Sequence, residues 1–528
     1  MTDPTPDHEP GRGPDDPDLD DPLTADDIIS HPQVPGEARA GGNETQAAKL
    51  LSLALAQFQL LQGDDGRLYA APHDGPALAC NLRGRDGLRG RLADLYYDLT
   101  GQIPSGTALT DAMALIEVRA ARSERAPVSL RVAATGPASI ALDLGTVDGR
   151  CVLVDEHGWR IAERSPALLR RSPAVGPLPD PVRGGSLDPL AELLNVDEAG
   201  FRLMVAWLVA ALMPTIPHPI LAVVGEQGTA KTTAARLIVS LVDPSPVPLR
   251  TQPREMRSWA AAAAASWIVA FDNVSTIPAW LSDTMCKAVT GDGIVERALH
   301  TDDDINIVAF RRCLALTSID TGRLAGDLAE RLLTVELDVI PGHRRRPDAE
   351  ITAAYATVQP VVLGALLDVT AQVLAALPHV RLDELPRMAD FARILRALDH
   401  TQGWNSLDHY TEAARDTNRA VIDGDPVADA VLALVGDRGV WAGTASELLT
   451  RVTPDPRPPG WPRNPQAMSG ALKRLAPALR ASGGLVVEFP PRGQTRTITL
   501  RGPHSPGVNS VTSSSRPSRS SRKPGDQP

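Results

Sequence analysis

Gly225, Gly228, Lys231 and Thr232 fall within Leu221-Ala-Val-Val-Gly-Glu-Gln-Gly-Thr-Ala-Lys-Thr-Thr233, and those residue types at that spacing suit one chemistry. A glycine-rich turn between an apolar strand and a helix lets successive backbone N–H groups face inward on a polyphosphate. The helix N-terminus adds the positive end of its dipole. Lys231 would reach the β- and γ-phosphates, and the Thr232 hydroxyl would sit on Mg²⁺. The run Gly225, Glu226, Gln227, Gly228, Thr229, Ala230, Lys231, Thr232 and Thr233 is therefore the candidate nucleotide loop, with ATP and Mg²⁺ as cofactors and a helix expected over 234–242. The strict pattern asks for glycine where Ala230 stands. Alanine fits there provided its φ is negative, because a Cβ then needs only room. The bland alternative is a glycine turn with no ligand, but strand, turn, Lys-Thr and helix in that order favour the nucleotide.

A second strand must bring a carboxylate to the metal. Trp267-Ile-Val-Ala-Phe-Asp-Asn273 does this, with four apolar residues feeding Asp272. Asp272 and Thr232 are thus the candidate metal residues. Asn273 occupies the slot where many such ATPases keep a catalytic glutamate; an amide can orient a water but cannot accept its proton. Asp283, Asp292 or a residue of a neighbouring subunit are the candidate bases, and slow hydrolysis is the alternative. Downstream, Leu281-Ser-Asp-Thr-Met-Cys-Lys-Ala-Val-Thr-Gly-Asp-Gly293 predicts a helix ending at a glycine turn. Segments 295–300 and 305–310 flank Thr301-Asp-Asp-Asp304 as a β-hairpin would. The strand Cys313-Leu-Ala-Leu316 ends at Thr317-Ser318, which would face the γ-phosphate. Arg331 stands in Asp327-Leu-Ala-Glu-Arg331, just before another strand.

This order of loop, carboxylate strand, Lys-x-x-Thr-Gly segment, hairpin, polar-ended strand and Asp-Leu-x-x-Arg resembles the AAA+ core of superfamily 3 helicases. It is most similar to the ATPase part of phage, plasmid and integrative-element replication proteins, often joined to a primase. The Gly-Thr-Ala-Lys spelling is similar to minichromosome maintenance helicases and MoxR-type proteins. The resemblance implies a ring, as a hexamer, with the hairpin lining a central channel for single-stranded DNA. Lys287, Arg297 and His300 become DNA contacts and Arg331 a finger entering the neighbour's ATP site, with Lys231, Asp272, Asn273 and Thr317 completing the catalytic set. Two departures stand out: Thr317 replaces the usual asparagine, and Asp302, Asp303 and Asp304 at the hairpin turn would repel phosphates. An ordinary ion pair is the plain reading of Arg297 and Arg331.

The elements around this core divide the 528 residues into blocks. The leader, 1–44, concentrates acid: its first thirty residues hold ten carboxylates against Arg12, so most of the net charge of −11 resides there and disorder is expected. Residues 45–189 read as an N-terminal α+β region of unassigned chemistry, mainly helical to 125 with a short strand near Arg67 to Ala71, then a small β region closing in a proline-rich linker over 173–189. The ATPase spans 190–345 and a helical lid 346–424. Residues 425–502 read as a winged helix. Helix one covers 426–435, Thr444-Ala-Ser-Glu447 is a capping box for helix two, and Asn464-Pro465 starts helix three. Two strands then pair around Pro490-Pro-Arg-Gly-Gln494. Lys473, Arg474, Arg480, Arg492, Arg496 and Arg501 gather there and favour duplex DNA over a protein partner. The tail, 503–528, is serine-rich, basic and expected to be disordered.

The fold class is thus α/β: a P-loop AAA+ core of mainly parallel sheet flanked by helices, with the α+β region, lid and winged helix appended. The four cysteines are far apart, with no metal spacing or disulfide framework, and a cytoplasmic setting follows. The apolar stretch 201–213 is cut by prolines and is too short for a bilayer, so no membrane role is expected. An ATP-switched DNA-binding regulator and a MoxR-like protein remodeller are the rival classes.

Overall fold

The computed structural model describes residues 44–502, apart from 85, 292, 298–304, 320–325, 437–438, 459 and 490–496. The acidic leader, the basic tail, His300, the three hairpin aspartates, Asp292, Arg492 and Arg496 lie outside the described residues.

Five short apolar runs form a parallel sheet in the order Leu249–Arg250, Ile268–Phe271, Cys313–Ser318, Ile220–Val224, Leu332–Glu336. These are called here the edge, acid, threonine, loop and closing strands. The loop, acid and threonine strands are buried along their whole lengths. That pattern is what a parallel sheet covered by helices on both faces demands. Successive side chains alternate between two cores. Leu221 and Val223 join Trp207, Ile238 and Leu366 on one face, while Ile220 and Ala222 join Trp259, Phe271 and Met285 on the other. The register pairs Val224 with Ser318 and with Glu336, and Arg250 with Phe271. The residues after Val224, Phe271 and Arg250, together with Thr317, are thereby gathered at the carboxyl edge, where open α/β sheets bind ligands.

In the N-terminal block the strand expected near 67–71 is present as Leu68–Pro72, but it is one of four strands where a mainly helical block was expected. Phe58–Gly63 follows the helix Gln46–Gln57 directly and pairs antiparallel with Leu68–Pro72 across the turn at Gly66, whose φ is 76°. With Cys80–Asn81 and Arg125–Ala126 these make a four-stranded sheet beside the helices Leu88–Thr100 and Gly106–Ala121.

The next β region is a meander of Val132–Gly136, Ser139–Asp143, Cys151–Asp155 and Gly158–Ala162. Its Val132, Leu142 and Val152 share one core with the loop helix, Lys231–Val242, and the lid helix, Asp348–Ala376. A buried ion pair locks it there. The Arg131 guanidinium, fully buried, donates to Asp243 Oδ1 at 2.9 Å and to the carbonyls of Asp143 (2.9 Å) and Gly176 (2.7 Å). Asp243 Oδ2 in turn accepts the Trp267 and Ile268 amides, each at 2.9 Å. One carboxylate thus holds together the end of the loop helix and the start of the acid strand. The proline-rich linker expected over 173–189 packs against its neighbours. Its Gly176 and Val182 amides donate to the Pro244 and Pro360 carbonyls, and Leu178 is buried.

The lid comprises Asp348–Ala376, Ala389–Gln402 and Ser406–Asp423. Among the described residues, Asp348–His379 is the one helix long and apolar enough to cross a membrane, and 61% of its most apolar window is buried inside the protein. Phe391, Ile394, Leu395 and Leu398 pack on it as core.

Helix one of the C-terminal block is Pro426–Val435, as expected, and the Thr444 capping box is present. The third helix, Pro465–Gly483, is capped by Asn464 and stopped by Gly484 in the left-handed region. Its sheet has three strands rather than two: Val440–Thr444 joins Thr497–Arg501, which also pairs with Val486–Glu488. The same core takes in Ala329, of the short helix Gly326–Ala329, beside Leu472, Leu475 and Leu479.

His218, just before the loop strand, is 1% exposed, and neither ring nitrogen has a hydrogen-bond partner; its ring stands edge-on to Trp267 at 5.5 Å. Burial first, and then the Arg311 guanidinium, push its pKa down to about 3. An unfolded histidine titrates near ~6.5, so below that pH the unfolded chain takes up a proton that the native state refuses. Stability present above pH ~6.5 is therefore lost as pH falls, by about 1.4 kcal/mol per unit. His218→Phe should remove that slope: between pH 7 and pH 5 the parent loses about 2 kcal/mol more than the variant in urea titrations. Equal losses would show that His218 is protonated in the fold.

Candidate functional site

The loop after Val224 bends through three left-handed residues in six: Gly225 (φ 148°), Gly228 (89°) and Ala230 (63°). Glycine adopts such angles freely. Alanine at φ 63° corrects the expectation of a negative φ at Ala230, because the tight entry into the loop helix sets the backbone and the Cβ is carried along at a cost of about 1–2 kcal/mol. Ala230→Gly should stabilise the protein by about 0.5–1 kcal/mol in thermal melts, once glycine's extra chain entropy is counted. An unchanged or lower melting temperature would mean that the angle carries no strain.

The helix begins at Lys231, three residues earlier than expected, which places Thr232 and Thr233 in its first turn. The Lys231 ammonium folds back over the loop and donates to the Gly225 and Glu226 carbonyls at 2.8 and 2.7 Å. Burial lowers its pKa, opposed by the charge of Asp272. Thr229 is fully buried and its hydroxyl donates to Glu226 O at 3.0 Å, while Glu226 and Gln227 are exposed.

Asp272 meets the loop directly: its Oδ1 and Oδ2 lie 3.0 and 3.2 Å from Thr232 Oγ1. One hydroxyl and one carboxylate are hard oxygen donors suited to Mg²⁺, which takes one or two carboxylates and completes its shell with phosphates and water. The described residues contain no cluster of three acidic, histidine or cysteine ligands.

Thr317 is 1% exposed, and its hydroxyl donates to Asp272 Oδ1 at 2.6 Å while accepting the Asn273 amide at 2.8 Å. The hydroxyl expected to face a γ-phosphate is thus bonded here to the carboxylate and to the Asn273 amide. Its oxygen is committed to holding the carboxylate, because parallel pairing sets the threonine strand beside the acid strand. Asn273 itself has φ 53°. Asparagine tolerates that region far better than glutamate does, so the backbone accounts for the missing acid.

The remaining candidates are scattered. Arg331 opens the closing strand, and its carbonyl accepts the Ile220 amide at 2.8 Å. It therefore lies at the amino edge of the sheet, a strand's length of about 17 Å from the loop. Lys287 is exposed in the last turn of Ala279–Thr290, and Asp283 is exposed on the same helix. The hairpin strands Gly293–Arg297 and Ile305–Ala309 pair antiparallel as expected, with Arg297 at the end of the first. Lys473, Arg474 and Arg480 are exposed on the third C-terminal helix, Lys473 with its ammonium 5.3 Å from the Phe489 ring centre. Arg501, counted with that basic group, pairs instead with Glu488 at 3.4 Å.

One feature escaped the sequence reading. A cleft of about 710 Å³ opens beside Gly228, Ala230 and Thr233 and is lined by Arg344, Arg345 and Arg346. A Cβ on Gly228 would stand 3.2 Å from the Arg345 guanidinium. The run His343-Arg-Arg-Arg346 was the available signal, but it straddles the expected boundary between ATPase and lid.

No curated protein matches the chain. Among solved structures, the active helicase Cch of SCCmec type IV is 11% identical, with 84% of this chain and 93% of that one covered at a TM-score of 0.39. The NrS-1 C-terminal region is 11% identical, with 86% and 98% covered at 0.37. Both scores are too low to support an argument. Family models are more informative: residues 187–420 match the actinomycete integrative conjugative element replication protein, and 427–518 match the C-terminal domain of the same RepA protein. Over those two stretches the chain is similar to replication proteins of actinomycete integrative conjugative elements.

Proposed function

We propose that this replication protein is a Mg²⁺-dependent ATPase of AAA+ type, resembling superfamily 3 helicases, that works on DNA as a ring in the cytoplasm. The observation that carries the reading is the junction of loop and acid strand: inward-bending backbone, Lys231 over it, and Thr232 within 3.0 Å of Asp272. In this reading ATP lies along the loop amides, and Thr232 and Asp272 hold Mg²⁺. The metal, when bound, neutralises charge between the β- and γ-phosphates. Arg331, at the far edge of the sheet, serves the neighbouring subunit's ATP, which ties turnover to assembly. Single-stranded DNA passes the hairpin with Lys287, Arg297 and His300. The C-terminal block, read as a winged helix, grips duplex DNA through Lys473, Arg474, Arg480, Arg492 and Arg496.

Mixing Arg331→Ala with Lys231→Ala subunits tests the ring. Each alone should be inactive, and an equimolar mixture should recover a measurable fraction of the DNA-stimulated rate. No recovery would make Arg331 a local structural residue. A second reading, a slow ATP-switched DNA-binding regulator, is favoured by one observation, the amide of Asn273 where a carboxylate would speed hydrolysis. Tight nucleotide binding with no DNA-stimulated turnover would select it.

A further inference from the structure

Asp272 faces two ways. Toward the loop it meets Thr232; on its other side it borders a groove of about 550 Å³ lined by Thr251, Gln252, Pro253, Arg254, Asn273, Thr276, Ile277 and Pro278. Parallel pairing explains who stands there. Arg250 lies opposite Phe271, and the Asp272 amide donates to the Arg250 carbonyl at 2.9 Å, so Thr251 and Gln252 leave the edge strand alongside Asp272 and Asn273. Among the described residues Asp272 is the one carboxylate in the lining, and its Oδ1 already accepts from Thr317 at 2.6 Å. The remaining side chains able to hold a water are the Gln252 and Asn273 carboxamides and the Thr251 and Thr276 hydroxyls; Arg254 adds a cation. Gln252 is half-buried and Asn273 exposed. Asn273 also has its backbone pinned by Thr317 in the left-handed region, which limits where its amide can reach.

We propose that Gln252 positions the attacking water, so that this groove works by amide orientation rather than by a carboxylate base; this rests on the ATPase reading above. A glutamine side chain accepts a hydrogen bond from the water through its carbonyl oxygen and directs the water's lone pair in line with the terminal phosphorus. The water oxygen bonds to that phosphorus, and the bond to the β-phosphate oxygen breaks with its electron pair leaving on ADP. Among the described lining residues the one carboxylate, Asp272, is held by Thr317 and Thr232, so the displaced proton passes to an oxygen of the transferred phosphoryl group, giving inorganic phosphate. Neither oxidant nor reductant is involved, and atoms and charge balance. The same reasoning gives a physical cause for slow turnover: orientation is supplied and proton removal is not.

The test compares the full-length parent, Gln252→Ala, Gln252→Glu and Asn273→Ala, reading kcat for ATP hydrolysis and, separately, the affinity for a fluorescent ATP analogue. Gln252→Ala should lower kcat about 10²-fold while affinity stays within about two-fold, since only the orientation of the reacting water is lost. Gln252→Glu should retain turnover and acquire a rate that rises with pH as the new carboxyl ionises, a signature that a purely structural role would not produce. Asn273→Ala should cost less than Gln252→Ala. Parental kcat in Gln252→Ala, with the parent active, overturns the proposal alone. A parent that binds no nucleotide overturns the ATPase reading and this one with it.

Discussion

Lys231→Ala should abolish ATP turnover, lowering the rate by about 10²–10³-fold at saturating nucleotide, the usual loss when one fixed charge is removed from a transferring phosphoryl group. Nucleotide affinity should fall as well, by about 10–10²-fold, since a charge-assisted hydrogen bond contributes about 1.5–3 kcal/mol. The fold should survive. Lys231 is bonded to two carbonyls of its own loop, and the loop helix is held by Ala234, Ile238 and Leu241 in the core. Melting curves of parent and variant should therefore coincide within a few degrees while malachite-green assays separate them. Turnover that persists would mean that the loop does not carry the phosphates. Arg345, whose guanidinium lies close to Gly228, would then be the cation to replace next.

The second large effect lies far from any substrate. Arg131→Met should destabilise the protein by about 3–5 kcal/mol, the range for removing one partner of a buried pair. Arg131 is fully buried and the Asp243 side chain is 3% exposed, so solvent gives neither any relief. Without the guanidinium, Asp243 Oδ1 and the Asp143 and Gly176 carbonyls lose their donor together. Replacing Asp243 as well by leucine should recover only part of the loss, because the Trp267 and Ile268 amides would then lack their acceptor. Equilibrium urea unfolding measures both. A loss below about 1 kcal/mol for Arg131→Met would mean that water reaches the pair after all. Since Asp243 ties the loop helix to the acid strand, ATP affinity of Arg131→Met should also fall.

What the sequence could convey follows from how local each cause is. The Thr444 capping box and the Asn464-Pro465 start depend on neighbours three residues away and are legible by inspection. The apolar runs of the central sheet are equally plain, and their order of appearance brought Thr232, Asp272 and Thr317 under suspicion before their contacts were known. The φ of Ala230 is different, because it is imposed by the turn into the helix and leaves no mark on composition. The strand Phe58–Gly63 escaped because Phe58-Gln-Leu-Leu-Gln-Gly63 continues a helical apolar spacing, although the Asp65-Gly66 turn beyond it was a usable hint. Arg131 and Asp243 are 112 residues apart, and no spacing rule connects them. For that reason a β region that reads as a separate module shares the core of the parallel-sheet domain.

Ala329 sits in the C-terminal core only two residues before Arg331, while the two family matches meet between 420 and 427. Cutting the gene at that seam to isolate the sheet domain would strip the cover from Ala329 and expose an oily scar next to Arg331, the residue proposed above to serve an adjoining protomer. Such a fragment should clump or idle. Its silence would say more about a missing buttress than about the chemistry of the uncut chain.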